Sequence, residues 1–420
     1  MLKKGSGFLL VFSLVVLFTS IGLAQGIEVG GELSQILNYG LEEEELTGAI
    51  TNYKLEFEKD FGFTGKLYLS LKGDYDFLDQ VGSIGLDEAY AAVYLDRTDL
   101  TIGRQVINWG TADGINPTNS INPLTPDSFT EGELSGKPLL ALQATYYGTD
   151  YDLTGVVIPE FVPVSFDNYS ALRKNEEFES IFDGLDITLP ENKLENMEYA
   201  LKYGTLVGGY DLRLSYFHGW EDVPALITRM NIDPETQQPD RSTQTYDAWY
   251  RKVNKLGIAT AGVLNEYGVW AEAAYVIPEE LDLASENPLE IVASLSMNEP
   301  YLQAVIGGDY TLENGIYSEL QYLYYGNGSL IMPYNLNPGE EPNAGQYLMN
   351  RISYDIDQDN LLELTGITRL NDGSAIIIPT YTYRLNQVTD LKISPILPVG
   401  DDGEFTDFPQ QVSVSVKTSF

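Results

Sequence analysis

Period-two alternation, sustained over segments of about ten residues, limits what this chain can fold into more than any other feature. In 63–75, Phe63, Leu67, Leu69, Leu71 and Tyr75 share one face, while Thr64, Lys66, Tyr68, Ser70, Lys72 and Asp74 share the other. The last segment sets Val412, Val414, Val416, Thr418 and Phe420 against Ser413, Ser415, Lys417 and Ser419. Alternation at 180° per residue means strands with one apolar and one polar face. Soluble sandwiches also alternate, so length matters. Segments of about 10–12 residues suit a tilted strand crossing a bilayer, and they exceed the soluble mode of roughly 5–6. Tyr and Phe gather near the ends of the apolar faces, as interfacial girdles require.

The links between segments sort by length. Eighteen segments can be read, from 27–39 to 410–420. Links after even-numbered segments are tight, such as Asp60-Phe61-Gly62, Arg97, Gly148-Thr149, Gly208-Gly209 and Glu266-Tyr267. Links after odd-numbered segments are mostly long, including 108–137, 159–196, 220–254, 278–300 and 326–346. Tight turns at one rim and long loops at the other define a transmembrane antiparallel up-and-down β-barrel. The predicted fold class is therefore all-β, with about 18 strands (16–18), short periplasmic turns and long extracellular loops. Hydrocarbon offers backbone groups no water, so such a sheet must close on itself. At this size the lumen is too wide for wall side chains to fill.

Residues 1–24 read as an export signal. Lys3 and Lys4 precede an apolar stretch from Phe8 to Phe18, and Gly22-Leu23-Ala24 supplies small residues before cleavage at Gln25. Residues 25–420 then form one barrel domain. The chain has 62 Asp and Glu against 24 Lys and Arg. Without Lys3 and Lys4 the balance is 22 − 62 = −40. Such acidity excludes nucleic acid as a partner, because counterion release needs a basic surface. The absence of Cys excludes disulfides, thiolate metal sites and Cys nucleophiles.

The richest motif is Gly103-Arg104-Gln105-Val106-Ile107-Asn108-Trp109-Gly110, followed by Asn116-Pro117, Asn119 and Asn122-Pro123. Over about 30 of 420 residues it resembles an uncharacterised family of bacterial outer-membrane barrels with a G-R-Q-x-x-x-W-G element and an Asn-Pro stretch, in the wider porin and alginate-export-like group. That family often has an acidic residue after the Trp-Gly pair; here Thr111-Ala112 follow. The resemblance implies an outer-membrane channel or export barrel, with no catalytic residues.

Loop 108–137 is the third long loop, the ordinal place of the constriction loop in many porins. Arg104, Gln105, Asn108, Trp109, Asp113, Asn116, Asn119 and Asn122 are the pore or constriction candidates. Arg104 is expected at the lip or lumen, its guanidinium paired with an acidic wall. Trp109 would stack on a solute or wedge the loop against the barrel. The alternative is a loop that only anchors itself. Lumen-facing charges are expected at Lys54, Glu56, Glu58, Lys66, Lys72, Asp74, Glu198, Lys202, Asp211, Arg213 and Glu319. Their acidic excess predicts a preference for cations, although acidity also governs solubility. The alternating segment through Val416 to the terminal Phe420 looks like an outer-membrane assembly signal, with the barrel assembly machinery as the partner.

Catalysis, cofactors and metals are not expected. His218 is the one His, and neither G-x-S-x-G nor H-E-x-x-H occurs. Glu42 to Glu45 read as a solvated run, without calcium-loop spacing. Residues 168–185 would form a short amphipathic helix that plugs the barrel or rests on other loops. The expected function is a porin-like channel for passive diffusion of small hydrophilic solutes. The expected surroundings are outer-membrane lipid and lipopolysaccharide, with a possible homo-oligomer. A plugged structural or adhesive barrel is the first rival, and a secreted soluble carbohydrate-binding protein the second.

Overall fold

The computed structural model describes residues 26–123, 136–164, 185, 187, 189–281, 283–285, 287–331, 334 and 343–420. The export signal and nearly all of the helix expected over 168–185 lie outside these residues.

The first nine barrel strands are β1 (Glu28–Gly40), β2 (Leu46–Asp60), β3 (Gly65–Asp76), β4 (Val81–Tyr94), β5 (Thr98–Gln105), β6 (Leu139–Tyr147), β7 (Tyr151–Ile158), β8 (Glu198–Val207) and β9 (Tyr210–Trp220). Three loop strands follow different rules: β10 (Ala225–Ile232), β11 (Pro239–Trp249) and β14 (Glu290–Ser294). The barrel continues with β12 (Lys252–Leu264), β13 (Tyr267–Pro278), β15 (Tyr301–Thr311), β16 (Tyr317–Tyr325) and β17 (Gly345–Asp355). It ends with β18 (Asn360–Arg369), β19 (Ala375–Asn386), β20 (Thr389–Val399) and β21 (Gln411–Ser419). Each of the 18 strands pairs antiparallel with its barrel neighbours.

The sheet closes. β1 pairs with β21 from Glu32 opposite Ser419 to Gly40 opposite Gln411. The Gly31 and Phe420 backbones exchange two hydrogen bonds of 3.0 Å, which carries the ladder to the terminal residue. Val416 lies opposite Gln35 on this seam. Closure leaves no edge strand for water to satisfy, the condition hydrocarbon imposes.

The two faces separate by chemistry. Outward residues are large, apolar and exposed, among them Ile84, Leu206, Val263 and Ile306, each at least 60% accessible. A soluble protein would bury such a band; here it surrounds a closed cylinder, so the soluble carbohydrate-binding reading fails. Polar groups on this face satisfy one another, as where Thr51 Oγ1 donates to Gln35 Oε1 at 2.6 Å. The β19–β20 ladder has a gap between Ile377–Leu397 and Tyr381–Ile393, and Pro379 and Pro395 fall within it. Proline has no N–H to contribute there.

The small sheet β11–β10–β14 lies in the long loops after β9 and β13. Alternation does not reveal it because β10 is buried on both faces. Ala225 and Ile227 pack into one apolar cluster with Leu281, while Leu226 packs into the larger cluster of Leu295, Leu323 and Tyr347. A strand buried on both sides shows no period of two.

Candidate functional site

The loop after β5 folds inward and crosses the lumen. It starts at the G-R-Q element, where two glycines set its course. Gly103 has φ +135°, and a Cβ there would strike the backbone of Ala89 on β4. Gly110 has φ +111°, and the Asn116 side chain fills the place its Cβ would take. Neither position tolerates an ordinary L-residue without strain.

Between these glycines the loop is fastened to itself. Asn122 is 1% exposed; its Oδ1 accepts the Ile107 amide at 2.7 Å and its Nδ2 donates to Lys137 O at 2.8 Å. Asn119 Oδ1 accepts the Trp109 amide at 3.0 Å. Asn116 Nδ2 donates to Gly114 O at 2.9 Å. These asparagines tie the loop's turns, which uses donors and acceptors otherwise available to a solute. Asn108 is exposed. Gln105 is buried, with Nε2 donating to Ala141 O at 3.2 Å. Trp109 is 4% exposed and packs with Ile107, Ile121, Leu139 and Phe217. Lys202 Nζ rests 5.1 Å from its ring centroid. Trp109 is thus a wedge against the wall, the anchoring role weighed for it in the sequence.

Beyond Trp109 the loop meets one strand after another. Arg213 on β9 donates from Nη1 to Gly110 O at 3.0 Å. Glu272 on β13 accepts the Thr111 and Ala112 amides through Oε1, and the Thr118 amide and hydroxyl through Oε2. Gln321 on β16 donates to Asp113 O at 2.6 Å. Arg351 on β17 lies 3.7 Å from Asp113 Oδ2 and 3.2 Å from Glu363 Oε2. In barrel order β5 is strand five and β17 strand fourteen, so 14 − 5 = 9 of the 18 steps separate them. The loop therefore reaches the wall opposite its origin.

Arg104 takes a different place from the one expected of it. It lies opposite Ala89, in the same alternating set as the exposed Ile102, and its Nε donates to the Asp87 carbonyl at 2.8 Å. Its partner is thus a strand backbone, and Asp87 lies within the irregular stretch of the β3–β4 ladder.

The other predicted charges fall on the inward face. Lys54 Nζ is 2.9 Å from Glu56 Oε1, and Lys66 Nζ is 3.4 Å from Glu58 Oε2. Lys66 also lies over Tyr68 and Tyr90, at 5.7 Å from each. Lys72 and Asp74 continue the same face of β3, across from Lys54 and Asn52. Glu198 is buried and accepts the Trp220 amide at 2.9 Å. Asp211 shares its alternating set with Arg213 and Phe217 on β9. Glu319 accepts from Gln321 Nε2 at 2.5 Å. His218 sits on the outer side near Tyr199 and Tyr216, with Nδ1 2.9 Å from Asn254 Oδ1.

Sequence reasoning missed Glu272. A single carboxylate inside Val269-Trp270-Ala271-Glu272-Ala273-Ala274 was the available signal. It also missed the polar cluster over the loop, formed where Asp222, Arg251 and Lys255 come together from the rims of β9 and β12. Asp222 and Arg251 stand at opposite ends of one long link and Lys255 on the strand after it, and no local pattern joins them.

No family model and no curated relative matches this sequence. Solved structures do share its fold. Pseudomonas aeruginosa OccD3 matches with a TM-score of 0.53 and 8% identity, over 94% of this chain and 91% of that one. Acinetobacter baumannii OccAB3 matches with a TM-score of 0.51 and 8% identity, over 94% and 98%. The chain shares with them the closed, antiparallel β-barrel fold, here of 18 strands.

Proposed function

We propose that this protein is an outer-membrane channel for passive diffusion of small hydrophilic solutes, narrowed by the loop after β5. One observation carries the reading: that loop is pinned from its root on β5 to β13, β16 and β17, across the full breadth of the lumen. A loop held so firmly inside a barrel restricts what passes. No nucleotide site or covalent chemistry is needed, because the solute moves down its own gradient.

Cation preference is part of the proposal. Several inward cations are already occupied: Lys54 by Glu56, Lys66 by Glu58, Lys417 by Glu32, and Arg213 by a carbonyl. The chain's acidic excess is left to set the field in the vestibules. Planar-bilayer recordings in a salt gradient test both points. Stepwise conductance with a reversal potential favouring cations is expected; an anion-selective reversal potential defeats the preference, and silence defeats the channel.

Export through a signal cleaved before Gln25, seating in outer-membrane lipid and lipopolysaccharide, and recognition of the Val416–Phe420 end by barrel assembly machinery belong to the same reading. So does association of copies of the chain. The plugged-barrel alternative has one favourable observation. Apolar side chains inside the wall, including Ile115, Leu226, Ile331 and Phe405, form a shared cluster that ties several loops together. Liposome swelling with a graded solute series separates the two, since a plugged barrel admits none.

A further inference from the structure

We propose that the cavity between the crossing loop and the outer loops binds a neutral, polyhydroxylated solute of monosaccharide size. This deepens the channel reading and rests on it for its physiological meaning. The cavity measures about 240 Å³. That is below the usual range of roughly 300–1,000 Å³ for drug-sized ligands, so it suits a single small ring and not a chain of them.

Its polar groups argue for the solute's chemistry. Arg251 and Glu221 at its margin are committed to each other and to neighbours. Arg251 Nε is 2.5 Å from Glu221 Oε2, Nη2 donates to Glu221 Oε1 and Met297 O, and Nη1 donates to Asn298 Oδ1. This pair adds no free charge. Two opposite charges remain, Asp222 and Lys255. They are one of each sign among the lining residues, so the pair brings no net charge to the cavity. Lys255 also rests over Phe217, 5.4 Å from the ring centroid. An ion would meet one charge of each sign and so no net countercharge, and a zwitterion would have to match both charges at their fixed spacing. A hydroxyl needs neither condition. It donates to a carboxylate and accepts from an ammonium or an amide.

The neutral lining fits the same class. Gln303 supplies an amide. Among the described residues, Asn119, whose oxygen already holds Trp109, has its amide nitrogen left to donate. The Tyr301 and Tyr325 rings, with Ile115 and Val223, give apolar surface for the C–H face of a sugar ring. The floor of the cavity is the crossing loop itself, from Ile115 to Asn122. A bound solute would therefore rest on the narrowest part of the proposed path.

The test is calorimetric titration of the full-length, detergent-solubilised protein with D-glucose, L-glutamine and gluconate, on wild type, Asp222→Ala and Gln303→Leu. Heat-modifiable gel mobility of each variant establishes that its barrel is closed. Saturable glucose binding is expected, tighter than for the zwitterion or the anion and weakened at least tenfold in both variants. Tighter binding of L-glutamine or gluconate overturns the proposal, as does absence of glucose binding or indifference to both substitutions. Bilayer conductance is read separately. A conducting protein that ignores glucose sinks this inference alone, and a silent one that binds glucose sinks the channel reading alone.

Discussion

Thr118 gives both its amide and its hydroxyl to a single oxygen of Glu272, at 3.2 and 2.7 Å, while the other oxygen takes the amides of Thr111 and Ala112. Glu272 is 3% exposed. It is the principal fastening between the crossing loop and the wall. Hydrogen bonds to a charged group contribute about 1.5–3 kcal/mol each, and unsatisfied buried donors cost more than the bond itself returned. Glu272→Ala should loosen the loop by about 3 kcal/mol or more. Single-channel records should show larger open-state fluctuations, and proteolysis within 106–138 should speed up. An unchanged record would assign the fastening elsewhere.

Gly110→Ala acts on the same loop through its backbone. A residue with a Cβ loses about 1–2 kcal/mol in a left-handed conformation, before any clash with Asn116. The expected phenotype is that of Glu272→Ala, with the barrel still closed by gel mobility. A variant that conducts as steadily as wild type would contradict the role given to Gly110.

Trp109→Ala removes a buried aromatic from the cluster with Ile107, Ile121 and Phe217. Large-to-small changes of this kind cost about 3–5 kcal/mol. The midpoint of heat-induced unfolding in detergent should fall, and Lys202 should lose the ring beneath it. If Trp109 instead served only as a stacking surface for solute, the midpoint would hold while solute flux changed.

Burial pushes the Asp222 carboxyl up to about 6, with Glu221 adding to the rise and Lys255 opposing it. The folded chain thus holds this proton more tightly than an unfolded chain would, near 3.8. The sign follows: folding gains stability as pH falls through about 6 toward 4, and loses it as pH rises through the same window. Asp222→Asn should flatten that stretch of the profile of unfolding midpoint against pH. A slope identical to wild type would remove Asp222 from the titration.

Deleting Phe420 takes away both hydrogen bonds that the terminal residue shares with Gly31. Outer-membrane yield should drop several-fold while the in vitro refolded barrel still closes through Val412 to Ser419. Equal yields would mean that the terminal aromatic carries no assembly information.

The wall was legible in the sequence because each strand answers to two solvents, and period two records that at every residue. The segment read as 210–219 forms over Tyr210–Trp220, and the one read as 360–369 forms over Asn360–Arg369. The tight rim was equally plain, since links such as Gly208-Gly209 leave no other path. What lies inside the wall was not. β10 shows no alternation because Leu226 and Ile227 are both buried, on opposite faces. Charge alone points Arg104 toward the lumen, whereas its Nε donates to the Asp87 carbonyl on the neighbouring strand. Glu272 makes contact with residues more than 150 positions away, and no local window records such a pairing.

A bare hoop of 18 ribbons can flatten into an ellipse at little expense, since hydrogen bonds between neighbours resist stretching far better than bending. The brace from β5 to β17 spans that hoop near its diameter. Squeezing by the surrounding bilayer would have to shorten or snap this strut before the cross-section could change. The aperture should therefore keep its shape when membrane thickness or lateral tension varies, even where an unbraced cylinder of the same girth would breathe.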